Sequence, residues 1–304
     1  MTQLALALAP VFIAILTGWG ARFTNIVPAV AWGGVNRLAY MILAPVFMFT
    51  EIVRADLSFE DLSFAIAGVL SFLAMGVIGF SLLLVARGPT FASAHQGAIR
   101  WNTFVILAAA ASAFGPEGSA LVALLMGPGI PVVNVMTVAV HSRWGEGQNP
   151  SLRGITRSLI TNPLLIACVL GLAINLCGFD LPPSVMDVLT IIGRGALGVT
   201  LMCVGAGMDL KAISAKPGLM VIAVGVKLLV APLVFIGIGL ALGLSGTHLA
   251  VLAICGAAPS PPAAYILTRE MGGNPQFMAG HITATTLLSA LAIPSAIWLA
   301  GLFG

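Results

Sequence analysis

Few residues in this chain can do chemistry, and they cluster in otherwise apolar runs. The most conspicuous stretch is Cys255-Gly256-Ala257-Ala258-Pro259-Ser260-Pro261-Pro262, inside the hydrophobic run Leu249 to Leu267. Each proline removes a backbone donor, and its ring clashes with the preceding turn. A helix through Pro259-Ser260-Pro261-Pro262 must therefore break. In an apolar medium the freed backbone groups need protein or a water-filled cavity. The chemistry on offer is binding: broken helices expose carbonyls and half-helix N-termini to ions and polar solutes.

Other polar residues repeat this pattern. Asn102-Thr103 stands at the start of the apolar stretch Phe104-Val105-Ile106-Leu107, and Asn134 follows Gly127-Pro128-Gly129-Ile130-Pro131, which reads as another interrupted helix. An amide in such a place either bonds a neighbouring helix or donates to a substrate carboxylate. Lys227 falls mid-run before Pro232, with no acid evident as a partner, since Glu51, Asp56, Glu60, Asp61, Glu117 and Asp180 fall at run ends or in loops. An intramembrane cation is expensive and marks function, unless its stem carries the ammonium to the interface. Arg194 suits the interfacial reading. His281, with Thr283, Thr285, Thr286 and Ser289, makes the last run unusually polar. Its imidazole could titrate in a proton-coupled cycle, but its place near the run's end also suits an interfacial histidine.

Catalytic signatures are weak. Gly243-Leu244-Ser245-Gly246 has the G-x-S-G form of rhomboid-type intramembrane serine proteases, with His281 as a distant partner. Four residues carry little specificity, and serine before a helix is an ordinary cap. Gly205-Ala206-Gly207-Met208-Asp209 misses the intramembrane aspartyl pattern by one residue and lacks a second Asp. No Walker sequence or H-E-x-x-H is present. The chain reads as a non-enzyme with no cofactor and no metal. Cys168, Cys177, Cys203 and Cys255 form no C-x-x-C pair and imply neither disulfide nor zinc.

The elements that must position these residues are membrane helices. The chain has 304 residues, 59% hydrophobic and 8% charged, with mean hydropathy +1.09. Soluble proteins carry about 25% charged residues, so an all-α integral membrane protein is expected. The net charge of +3 is scattered at helix ends and implies no nucleic-acid partner. About 20 apolar residues cross a bilayer. Ten candidate spans follow, near 4–21, 35–53, 62–86, 93–114, 118–141, 158–177, 184–208, 217–242, 248–268 and 276–301. The first lacks a basic leader region and reads as a retained span.

Basic residues set the orientation. Arg22, Arg37, Arg87, Arg100, Arg143, Arg153, Arg157, Lys211, Lys216 and Arg269 fall on one side and Arg54 on the other. Cytoplasmic loops are the basic ones, so both termini are expected outside the cytoplasmic membrane. Residues 143–157 read as a cytoplasmic linker between halves 1–142 and 158–304. Five spans in each half make the halves inverted repeats. An offset of 157 residues places Arg37 on Arg194, Asn102 on Pro259 and Thr103 on Ser260. Spans 4 and 9 are thus expected to be broken partners meeting near the midplane.

Three stretches resemble the auxin efflux carrier family across the whole length. They are Asn36-Arg37-Leu38 through Leu43-Ala44-Pro45-Val46-Phe47, Asn102-Thr103-Phe104-Val105, and Ala258-Pro259-Ser260 through Arg269-Glu270. The resemblance implies the five-plus-five fold of bile-acid and sodium/proton carriers. It implies a scaffold of spans 1, 2, 6 and 7 and a transport domain of spans 3–5 and 8–10. Asn102, Asn134 and the backbone from Pro259 to Pro261 would bind a small organic anion, an auxin-like acid or a mono- or dicarboxylate such as malonate or malate. Thr50 would line the site from the scaffold. Where the family carries a glycine and a proline in span 4, this chain has Leu107 and Ala109, which implies a first crossover that is continuous or softly unwound. The expected activity is secondary transport by alternating access. A proton- or sodium-coupled importer, a substrate sensor and an intramembrane protease are the alternatives. Membrane lipid is an expected partner, and a homodimer suits such a scaffold.

Overall fold

A computed structural model describes residues 2–55, 57–147, 154, 156, 157 and 160–303, with side chains undescribed at 2–5, 59 and 60. Asp56, the side chain of Glu60, and Arg153 in the expected linker lie outside the described residues. Among the described residues there are helices and no strands. Helix occupies each of the ten segments read from the sequence. Seven helical stretches are long and apolar enough to cross a membrane, and one of these covers Gly88–Trp144. Pro163–Leu176 and Gly246–Ala257 are apolar but shorter.

In chain order, α1 is Thr2–Phe23 and α2 is Ala31–Val53. α3 is Phe59–Ile78, prolonged by a 3₁₀ turn to Leu84. α4 is Gly88–Ile99 and α5 is Thr103–Trp144. α6 is Pro163–Leu176, α7 Pro183–Arg194 and α8 Ala196–Ala206. α9 is Pro217–Ala241, α10 Gly246–Ala257, α11 Ala263–Glu270 and α12 Pro275–Ala300.

Prolines shape these helices from within. Pro45 and Pro232 are each preceded by a π turn, Ala39–Leu43 in α2 and Val226–Val230 in α9. A proline has no N–H to offer the carbonyl four residues back, and its ring crowds that carbonyl. Widening the turn relieves the crowding, and π-bulges of this kind re-aim side chains. Tyr40 and Lys227 sit in the two widened turns.

α5 folds back on itself. Along a straight helix Asn102 and Asn134 would be about 48 Å apart. Instead Arg100 donates to Asn134 Oδ1. The reversal is at Gly115, with φ 63° and ψ −147°, followed by Pro116. Glycine alone takes that backbone without strain. The expected interruption at Gly127–Pro131 does not occur: helix runs through both prolines, and Phe72 and Trp101 pack against Gly129.

The first crossover is also corrected. Helix stops at Ile99 and resumes at Thr103, so the stretch 100–102 is fully open without any proline. Arg100 and Asn102 are extended, with ψ 145° and 97°. Asn102 ends the break by capping α5, its Oδ1 accepting from Phe104 N at 3.2 Å and Val105 N at 3.4 Å. A side-chain cap supplies what the missing proline would otherwise enforce. The second break lies where expected, between Ala257 and Ala263.

Packing joins α1 to α8, and α2 to α6 and α7. Asn175 Nδ2 ties α6 to the end of α2 through the carbonyls of Ile52 at 3.0 Å and Ala55 at 2.7 Å. α3, α4, α5, α9, α10 and α12 pack among themselves. Phe72 stands between Trp101 and Phe235 at 4.5 and 5.2 Å, edge-on to both, so an aromatic stack braces the first break.

Candidate functional site

The two breaks meet. Asn102 N donates to Pro259 O at 2.7 Å. Beside this contact lies a cavity of about 400 Å³ lined by Arg100, Asn102, Thr103, Asn134 and Pro261, with Tyr40, Asn36 and Asn162 opposite. Phe104, Ile130, Val133, Leu164, Val204 and Ile266 supply apolar walls. The first residues of both second half-helices line it too, Thr103-Phe104 of α5 and Ala263 of α11. Helix N-termini carry partial positive charge, which favours anions, although here Phe104 N, Val105 N, Ala264 N and Tyr265 N already donate within the protein.

The asparagines are oriented by their oxygens. Asn102 Oδ1 is used by the α5 cap, and its Nδ2 is buried with no partner. Asn134 Oδ1 accepts from Arg100. Asn162 caps α6, its Oδ1 accepting from Leu164 N at 3.0 Å and Leu165 N at 3.3 Å, with Tyr40 Oη at 3.4 Å. With these oxygens engaged, the amide nitrogens are the groups left to donate. The lining thus presents a guanidinium, amide donors and two helix N-termini, and none of the lining residues is Asp or Glu. This arrangement offers positive charge and amide donors to an anionic oxygen.

Arg100 was expected among the basic residues at the inner side. It is instead half-buried inside a broken helix, held there by Asn134. Its position two residues before Asn102, within an apolar run, was the available signal. Asn162-Pro163 was legible as a cap followed by an N1 proline. Tyr40 has no sequence signal, because a π turn aims it.

Other expected site residues are placed elsewhere. Pro259 gives its carbonyl to Asn102 and is buried. Ser260 turns away from the cavity, its Oγ donating to Gly97 O at 2.9 Å and standing 3.2 Å from His281 Nδ1. Thr50 is buried and bonds its own helix at Val46 O and Phe47 O, at 3.0 and 2.7 Å. Lys227 is 2% exposed, so its ammonium does not snorkel to the surface. His281 is wholly buried rather than interfacial. Ser245 is exposed at the start of α10, and His281 pairs with Ser260 instead, so no Ser245–His281 dyad exists. Arg194 is exposed at the end of α7. Asp61 caps α3 and accepts from His248 Nε2 at 3.0 Å, away from the breaks.

The profile of the membrane transport protein family matches residues 4–145 and 149–298. The chain belongs to this family, that of the auxin efflux carriers. An uncharacterized transporter of Methanothermobacter thermautotrophicus is 24% identical over 295 residues, covering 93% of this chain and 94% of that protein. A probable auxin efflux carrier component 1c of Oryza sativa subsp. japonica is 25% identical over 146 residues, 46% of this chain but 24% of the rice protein. Family membership and the long apolar helices make the chain a multi-pass membrane transporter.

Proposed function

We propose that this transporter is a secondary carrier of small organic anions, working by alternating access in the cytoplasmic membrane. The observation that carries the reading is a cavity that holds Arg100, Asn102, Asn134 and Asn162 and is lined by no Asp or Glu. A carboxylate there would take a charge-assisted bond from Arg100 and amide bonds from the asparagines. At about 400 Å³ the cavity suits a small acid such as malonate, malate or an auxin-like monocarboxylate.

In this reading α1, α2, α6, α7 and α8 are the scaffold, and the remaining helices carry the site across it. The halves are inverted repeats, ten spans cross the membrane and both termini face outward. The 157-residue offset between the two residues that touch supports the repeat. Transport exchanges which side of the scaffold the cavity opens beside.

Thermal stabilisation of purified protein against a panel of mono- and dicarboxylates tests this, with Arg100→Gln alongside. A rise in melting temperature in the wild type that disappears in Arg100→Gln, followed by uptake of the same acid into proteoliposomes, is the expected result. Equal shifts in both proteins would move the site elsewhere. Binding without flux would favour a sensor.

A further inference from the structure

Behind the Pro259–Pro262 break lies a second polar group that the anion cavity does not use. Lys227, in the π turn of α9, and His281 on α12 are both buried, and that turn packs on α12 and on α10, which carries the buried Cys255. α4 also packs here and brings His95, whose Nε2 is taken by Gly76 O at 2.9 Å. α9 holds no other titratable side chain, and the remaining one on α10, His248, faces Asp61. None of α4, α9, α10 or α12 contains Asp or Glu. The 3₁₀ turn Leu210–Ser214 and α11 also pack on α12. They bring Lys211, Asp209, whose Oδ1 accepts from Lys211 N and Ala212 N, and Arg269 and Glu270 at the far end of α11. A buried positive charge without a counter-charge is expensive. An anion in the neighbouring cavity supplies the missing negative charge through the same low-dielectric interior.

The hydrogen bonds give a proton a place. Ser260 Oγ spends its single hydrogen on Gly97 O. Its contact with His281 must then be Nδ1–H donating to Oγ. In the neutral ring Nε2 is left as a bare acceptor, and it has no hydrogen bond. One residue links this group to the anion site. Ser260 follows Pro259, which holds Asn102, and precedes Pro261, which lines the cavity.

We infer that Lys227 and His281 form a proton-binding site coupled through Ser260 to the substrate cavity. A proton from water adds to His281 Nε2 or Lys227 Nζ as the anion binds, so anion and proton travel together. The coupling rests on the anion reading; the existence of the proton site does not.

The test is solid-state NMR of protein labelled with ¹⁵N-lysine and ¹⁵N-histidine in bilayers. Only Lys211, Lys216 and four histidines crowd the spectrum besides Lys227. Lys227→Met and His281→Gln assign the signals. If either fails to fold, Lys211→Arg with Lys216→Arg assigns Lys227 by elimination, and His95→Gln, His141→Gln and His248→Gln do the same for His281. Spectra are taken from about pH 5 to pH 9, with and without malonate or indole-3-acetate. At least one of the two groups should change charge state in that window. The acid that raises the melting temperature should move the midpoint towards the protonated form by about one pH unit, a tenfold coupling. Two groups that each keep one charge state throughout overturn the proposal. So does a titration unmoved by an acid that demonstrably binds. A titration present while neither acid raises the melting temperature supports the proton site and counts against the anion reading alone.

Discussion

The backbone N–H of Asn102 donates to the carbonyl of Pro259 at 2.7 Å. Each partner is a group its own helix leaves unpaired. Asn102 precedes the first turn of α5, where N–H groups are orphaned. Pro259 lies in a stretch without helix. Such groups cannot be left open in lipid, so each break completes the other. Destabilising either break should therefore loosen both.

Replacing Asn102 separates its two tasks. Asn102→Asp keeps the capping oxygen, so its melting temperature should stay near that of the wild type. Its binding of any acid should vanish, because a carboxylate then stands at a residue that lines the cavity. Asn102→Ala should lose about 1 kcal/mol of stability with the cap and bind about tenfold more weakly. Melting curves with and without ligand read both effects.

At Arg100 charge alone is insufficient. The guanidinium holds Asn134 and still has donors for a ligand. Arg100→Lys keeps the charge but cannot make that fork. Its affinity should fall by about tenfold to a hundredfold, from the loss of charge-assisted bonds. Arg100→Gln should not bind. Titration calorimetry with the acid that stabilises the wild type measures this series.

A lining with a guanidinium and no carboxylate should reject ligands that also carry a cation. 3-Phenylpropionate and phenylalanine differ by one ammonium, which would be buried near Arg100 without a counter-charge. The amino acid should bind at least about a hundredfold more weakly, because an unpaired charged group costs several kcal/mol. Competition against a bound carboxylate measures the ratio. Equal binding would mean that a negative counter-charge faces the site.

Gly97 is required by contact. A Cβ there would stand 2.8 Å from two atoms of the His281 ring. Gly97→Ala should cost about 1–3 kcal/mol through overpacking. Adding His281→Ala should recover part of that loss, since neighbouring sites are not additive. Denaturation midpoints of the single and double variants decide it.

Hydropathy made the helices legible, and the prolines after Ala258 marked the second break. The first break was harder, because proline was the expected signal and a cap does the work instead. Gly127–Pro131 misled for the converse reason: Gly129 leaves room for Phe72 and Trp101, and the helix absorbs its prolines. Asn102 and Asn134 stood out as amides among apolar residues. Arg100 did not, because an arginine near a helix end normally reports topology. Ser260 was placed correctly along the chain but not around it. Which way a residue faces within an open stretch is set by its partners, here Gly97 and His281, and those are more than twenty positions away or in another helix.

The reversal at Gly115 bears on how the chain is made. With Pro116 directly behind it, α5 doubles back without the polar loop that ordinarily rests at a membrane surface while the next segment is synthesised. Its two arms must therefore enter the bilayer together, as a hairpin released from the insertion machinery in one step. A side chain at position 115 would disturb that event before any binding site existed. Variants there should be lost from the membrane during biogenesis, whatever their effect on transport.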